Sequence, residues 1–368
     1  MIKKKINAKH LYVHIPFCNH ICSYCAFNKS LYNEKFVNSY IDALFNELDQ
    51  YELNNLKTIY VGGGTPSSLN HQLFEKLLQR LQGYLDVDYE FSVEINPETM
   101  DDEKISLLGK YGVNRVSIGV QSFDSNIIKY LNRYHDKQMV IDIVNKLHNL
   151  NITNISCDLI YGIKNQTKEI IKNDIETFKN LNIKHISTYL LQIEKGTMLY
   201  NKKQETLSDE EIVDQYNYIC SLLKDYNHYE ISNFGIKGYE SKHNLCYWTN
   251  KEYLGVGISS ASYIDNIRYK NIDSLTKYIQ NDFKREDEHL IKGNEYEFEY
   301  IMLHLRLNTG INLEEYKKIF NKDFLDYYHN ELKDLLHYFN IDSNIVIKEQ
   351  YYLLQNDILS SLLLNLDY

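Results

Sequence analysis

Cysteines at 18, 22 and 25 stand in a C-x3-C-x2-C spacing within the stretch LYVHIPFCNHICSYCAFN that begins at Leu11. Three thiolates so close together in one loop can converge on a single soft metal centre. Iron–sulfur clusters are held this way, and a [4Fe–4S] cube normally takes four cysteines. Three would leave one iron with an open coordination position, which is what a metal needs for chemistry. A disulfide fits poorly, because the number is odd and the thiols read as cytosolic. A structural zinc site is the other reading, with His14 or His20 as fourth ligand. Outside that reading the two histidines are packing or loop residues, and Cys157 and Cys220 are buried small hydrophobes.

Such a loop must be positioned by regular elements, and the chain from residue 10 to about 195 supplies them. Strand-like runs at 11–15, 58–61, 90–95, 115–120, 155–160 and 185–191 alternate with helical periodicity at 37–51, 72–85, 104–111, 139–150 and 169–181. Alternation of this kind predicts a parallel sheet, and its regular rhythm suits an α/β fold built as a partial TIM-like (β/α)6 barrel. Barrel chemistry sits at the carboxyl ends of strands. Polar signatures fall at those ends: the three cysteines, Gly62-Gly63-Gly64-Thr65-Pro66, Glu94, Gln121, Asp158 and Gln192. The glycine turn lacks the lysine and the spacing of a phosphate-binding loop. Glu94 and Asp158 have a second reading, as helix caps or local ion pairs. Pro16, Pro66 and Pro97, the only prolines, each follow a strand, where a fixed φ shapes the turn.

Composition narrows the field. The chain has 368 residues, enough for one large domain and a smaller one. Asp+Glu 50 against Lys+Arg 40 gives a net charge of −10, so no broad cationic face for nucleic acid is expected. The first ten residues are basic without the apolar segment of a signal peptide, and no run nears the roughly 18 apolar residues that span a bilayer. A cytoplasmic location is expected. The apolar tail at 358–366 is predicted to pack into a core.

The strings HIPFC-x3-C-x2-C-x-F, GGGTPS, GVNRVSIGVQSF, DLIYG and HNLCYW resemble the radical S-adenosylmethionine (SAM) superfamily, and within it the oxygen-independent coproporphyrinogen III oxidase group. Within that group they resemble most the haem chaperone branch, HemW. The resemblance implies a [4Fe–4S] cluster on Cys18, Cys22 and Cys25, whose open iron chelates SAM. It implies a SAM site made of Tyr12, Gly64, Thr65, Glu94, Gln121, Arg133 and Asp158. Carbonyls near the glycine turn would meet the SAM ammonium, Glu94 would suit the ribose hydroxyls, and Arg133 a carboxylate. The true oxidases have a fourth cysteine where this chain has Phe27, so the resemblance implies a chaperone and not the decarboxylase. The alternatives are that oxidase and a degenerate, non-catalytic cluster-binding barrel.

The rhythm changes after residue 200. We divide the chain into a barrel with its cluster loop at 1–200, a barrel-closing extension at 201–292, and a small, mainly helical domain at 293–368 that the resemblance makes winged-helix-like. In the extension we read a helix over 209–225, an alternating strand over 228–234, and a second glycine-rich turn over 253–261 that could close the barrel mouth. The segment KHNLCYW lies between them and holds the only tryptophan. His243 and Cys246 have haem-ligand chemistry, and Tyr247 and Trp248 could stack on a porphyrin or plug the barrel edge; hydrogen bonding that orders the loop is the plainer role for His243. The implied partners are a haem acceptor, a membrane haemoprotein, together with a small electron-donor protein and a second copy in a homodimer.

Overall fold

A computed structural model describes residues 3 to 363, so residues 364–366 of the apolar tail fall outside it. Six parallel strands follow one another in chain order across one sheet: β1 (His10–Ile15), β2 (Leu56–Gly63), β3 (Leu85–Ile95), β4 (Arg115–Gln121), β5 (Asn154–Tyr161) and β6 (His185–Leu190). The intervening helices are α1 (Glu34–Leu48), α2 (His71–Gln82), α3 (Asp102–Lys110), α4 (Lys137–Asn149) and α5 (Lys168–Asn180). Register explains why these strands read as apolar runs. Val13, Val61, Val93, Val116 and Ile155 lie side by side across five strands, and all are fully buried. They form the face that the helices cover. The other face of the same strands carries Thr58, Glu90, Arg115, Glu94 and Asp158, giving the barrel a polar interior.

Each helix starts on a side-chain cap: Asn33, Asn70, Asp101, Asp136 and Thr167 accept from backbone amides of the first turn. Pro66 and Pro97 open single 3₁₀ turns directly after β2 and β3, where the missing N–H costs nothing.

The sheet does not end with the six strands. Beyond β6 the expected strand at 228–234 is two, β7 (Asn227–Glu230) and β8 (Asn233–Gly235), folded back as a hairpin with β8 against β6. Beyond β1 the expected turn at 253–261 begins as a strand, β9 (Tyr253–Val256), parallel to β1. The chain then runs antiparallel through β10 (Ala261–Ile264), β11 (Ile267–Asn271) and β12 (Arg285–Leu290). The glycines misled here because Gly255 serves close packing, not turning. A Cβ on it would lie 2.1 Å from the Ala261 carbonyl oxygen.

Helix α6 (Asp209–Leu222) opens with a capping box of Ser208 and Glu211. The segment KHNLCYW is itself a helix, α7 (Lys242–Trp248), seated at the amino-terminal end of the barrel. Its first amides, of Lys242 and His243, donate to the two carboxylate oxygens of Glu90, each at 3.0 Å. Glu90 thus stoppers the barrel floor with the positive end of a helix. The C-terminal part combines α8 (Asn294–His304) and shorter helices with a small sheet of Ile311–Asn312, Phe339–Ile341 and Asn344–Ile347. Its apolar side chains, including Ile358, Leu359 and Leu362 of the tail, join the barrel core in one contiguous cluster.

Replacing Glu90 by Ala should therefore cost about 3–5 kcal/mol, since it leaves the Lys242 and His243 amides without their acceptor and removes one of the opposite charges near buried Arg115. Urea unfolding checks this, and a loss below about 1 kcal/mol would mean that α7 is held mainly by its apolar face.

Candidate functional site

The carboxyl ends of the six strands surround a cavity of about 520 Å³, within the size range of small-molecule sites. Cys18, Cys22 and Cys25 line it together with Gly64, Thr65, Glu94, Gln121, Arg133 and Asp158. Residues expected from distant stretches thus share one space. Tyr12 does not line that cavity. It lies one layer down, its ring stacked on Tyr60 at 6.2 Å and its hydroxyl 3.0 Å from His14 Nδ1.

The cysteine loop is fixed from several directions. Thr65 Oγ1 lies 3.5 Å from Cys18 Sγ and Arg133 Nη1 3.7 Å from Cys22 Sγ, both suited to stabilising thiolates. Burial holds the Cys18 thiol up at about 11, despite the Thr65 hydrogen bond, with the neighbouring sulfurs adding to it. A positively charged metal centre removes that penalty. A Cβ on Gly64 would sit 2.7 Å from Pro16 and 3.0 Å from Cys18 Sγ, so only glycine lets the second loop close on the first. The three thiols are free of any disulfide and so available to one metal centre. Neither nitrogen of His14 is free to act as a fourth ligand: Nδ1 meets Tyr12, and Nε2 lies 3.1 Å from the Asn28 carbonyl oxygen.

The opposite wall is anionic. Glu94 accepts from Tyr60 Oη at 2.7 Å and from the Gly63 amide at 3.1 Å. Burial pushes its carboxyl up, and burial plus the nearby Glu94 charge pushes Asp158 up to about 7. Two desolvated carboxyl groups with few donors suit a cationic ligand, and SAM carries an ammonium and a sulfonium. Gln121 sits at φ 69°, in the left-handed region, after a register shift between β4 and β5, and its Oε1 is buried without a partner. Its unpaired acceptor at the cavity wall is available to a ligand. Arg133 is held by Gly119 O at 2.7 Å, Asn96 Oδ1 at 3.0 Å and Glu98 at 3.2 Å. Burial would raise the Glu98 carboxyl, but His135 and Arg133 together hold it down at about 2. Ser117 and Tyr189 of the lining, and Glu98 behind Arg133, escaped the sequence reading. Counting back by twos from Gln121 would have found Ser117, because side chains on one strand face alternate.

The candidate haem residues lie at the other end of the barrel. His243 is buried, with Nδ1 2.6 Å from Thr58 Oγ1 and Nε2 2.7 Å from Tyr247 Oη. Both ring nitrogens are engaged, which is the loop-ordering role. Cys246 is equally buried. Tyr247 and Trp248 instead line a separate groove of about 450 Å³ with Tyr12, Tyr253, Arg268 and Met302.

Residues 12–178 match the family model described as the radical SAM superfamily. The chain is 39% identical to a protein named haem chaperone HemW from Lactococcus lactis subsp. lactis (strain IL1403), over 88% of each chain. It is 33% identical to the HemW of Bacillus subtilis (strain 168), over 96% of this chain and 99% of that one. The solved Escherichia coli coproporphyrinogen III oxidase superposes with a TM-score of 0.83 at 21% identity, covering 96% of this chain and 89% of that chain, a likeness of fold.

Two outcomes follow from the cavity. Replacing any one of Cys18, Cys22 or Cys25 by Ala should abolish the brown chromophore and the roughly four irons of a reconstituted sample, while Cys157→Ala retains both; iron analysis and visible absorption decide. The second concerns pH. Asp158 binds its proton more tightly folded than unfolded, so its contribution to stability is complete below about pH 4 and fades as pH rises through about 7. Asp158→Asn should make the unliganded chain more stable at pH 8 by on the order of 2 kcal/mol and flatten the decline between pH 5 and 8. Glu94, Glu47 and Asp174, also pushed up by burial, should supply the slope that remains. Denaturant titrations at several pH values would expose an unchanged slope.

Proposed function

The chain belongs to the HemW family of the radical SAM superfamily, and from that premise we propose that it binds haem and delivers it to an acceptor protein. The relatives named as haem chaperones match it over nearly their whole length, which supports carrying the role across. The observation that carries the choice of chaperone over oxidase is Phe27. It stands at the rim of the cavity, 71% exposed, where the oxidases have a cysteine. A phenyl ring offers neither thiol, proton nor metal bond to a porphyrinogen.

In this reading Cys18, Cys22 and Cys25 hold the [4Fe–4S] cluster. Gly64, Thr65, Glu94, Gln121, Arg133 and Asp158 surround SAM, and Tyr12 supports that wall from beneath through Tyr60. When bound, the cluster and SAM supply one-electron chemistry. The residues of the chain orient the ligand, balance its charge and exclude water. Haem takes the aromatic groove, where the rings of Tyr247, Trp248, Tyr12 and Tyr253 give apolar contact, while Arg268 there is already paired with Glu299. His243 and Cys246 back that wall. A membrane haemoprotein as acceptor, a small electron-donor protein, a homodimer and the division at residues 200 and 292 belong to the same proposal. Among the described residues no helix is long and apolar enough to cross a membrane.

Adding haem to the wild-type chain should shift the Soret band, and incubation with coproporphyrinogen, SAM and a reductant should release no carbon dioxide. Trp248→Ala should weaken haem by roughly three- to tenfold, the worth of one stacked ring. Porphyrinogen turnover would restore the oxidase reading; a chain that neither binds haem nor turns over porphyrinogen would be a degenerate barrel.

A further inference from the structure

We propose that Cys220, His228 and Glu349 form a binding site for one zinc-type divalent cation, which clips the C-terminal part of the chain to the barrel edge. The three donors come from separate stretches: helix α6, strand β7 and the segment after Asn344–Ile347. Their sulfur, nitrogen and carboxylate oxygen atoms all lie within 4.8 Å of one another. A thiolate, an imidazole and a carboxylate are the donor types zinc takes.

The imidazole carries the inference. His228 Nε2 faces the Ile231 carbonyl oxygen at 3.1 Å, and a carbonyl only accepts, so this nitrogen bears the proton. The Tyr216 hydroxyl, 3.4 Å from the same nitrogen, already donates to Ile231 O at 2.9 Å. In a neutral ring Nδ1 then presents a lone pair, yet it faces Glu349 Oε1 at 2.7 Å. Two lone pairs at that distance repel unless a second proton or a metal ion sits at Nδ1. The Cys220 thiol beside them is pushed up to about 12, by burial first and then by the Glu349 charge.

One divalent cation resolves all three contacts. It accepts the Nδ1 lone pair, the carboxylate oxygen and the sulfur, releasing the thiol proton and the Nδ1 proton. The trio is neutral overall before the exchange (thiol, imidazolium, carboxylate) and neutral after it, so the half-buried site gains no net charge. The Nε2–H bond to Ile231 O is the outer contact that typically orients a metal-bound histidine. The ring is further fixed by stacking on Phe234 at 3.9 Å and by the edge of Tyr352 at 5.0 Å. Entry is open, because the Glu349 side chain is 59% exposed and a cavity of about 800 Å³ adjoins the trio, leaving room for a water as fourth ligand. The barrel floor offers a contrast. His10, His243 and Cys246 also lie within 4.8 Å, but the Thr58 hydroxyl, which can both donate and accept, lies 2.9 and 2.6 Å from the two Nδ1 atoms and satisfies them.

The test uses the full chain carrying C18A, C22A and C25A, so that the cluster loop cannot take the probe metal. Cobalt(II) should bind at about one per chain with a thiolate-to-cobalt charge-transfer band, and zinc should displace it. Adding Cys220→Ser should remove the band. Glu349→Gln should weaken zinc at least tenfold, since losing even an outer contact costs about 10–100-fold. Should the triple variant not fold, the reconstituted protein with its cluster in place is dialysed against zinc and its zinc counted with and without Cys220→Ser. No band, a band indifferent to Cys220→Ser, or equal zinc in both dialysed samples would overturn the site and leave a protonated His228–Glu349 ion pair.

Discussion

A guanidinium enclosed in the middle of a parallel barrel is tolerable only where opposite charges surround it. Arg115, 2% exposed, imposes that condition on the whole interior. Towards the floor its partner is Glu90, which also receives the amides of α7. Towards the mouth it steadies Glu94 and Asp158, lowering carboxyls that burial raises. Without that one charge the buried Glu94 and Asp158 would repel each other unrelieved. The plug at the bottom and the anionic wall at the top are therefore two halves of one electrostatic arrangement.

The middle layer of the barrel joins the two ends by contact as well. Tyr60 donates to Glu94 in the upper cavity, stacks on Tyr12, and lies over His243 at 5.3 Å and 28°. A ring wedged among these three lies between the cavity wall and the aromatic groove. It also gives Tyr12 a reason to matter to the cavity without lining it.

Much of this was legible in the sequence, for identifiable reasons. All six barrel strands were expected, because β-branched runs separated by amphipathic helices leave few other folds. The strand-end rule carried Glu94, Gln121 and Asp158 to one cavity. Arg133 came by motif resemblance alone, since it sits past a short helix and no periodicity points to it. The segment KHNLCYW was legible as chemistry but not as position. Its helix starts on a local cap, Ser241, but its seat on the barrel floor is set by Glu90, about 150 residues earlier in the chain, and that partner is invisible locally. Glycines misled at 255, where they permit contact between strands. The trio of Cys220, His228 and Glu349 could not be read at all, because it is assembled by the docking of the C-terminal segment.

Among the described residues the sheet runs to twelve strands without closing, and each of its two open margins is a standing invitation to pair with another chain. This fold answers the two differently. At the hairpin margin Glu230 of β7 bridges to Leu307, so the C-terminal part covers the backbone there. At the far margin β12 runs Arg-Glu-Asp-Glu-His-Leu, exposed along nearly its whole length. Charges packed that densely repel a neighbouring strand and keep the margin wetted. A protein that must release its cargo repeatedly is thereby spared irreversible sheet-to-sheet association, and its encounters are steered to side-chain surfaces instead of backbone.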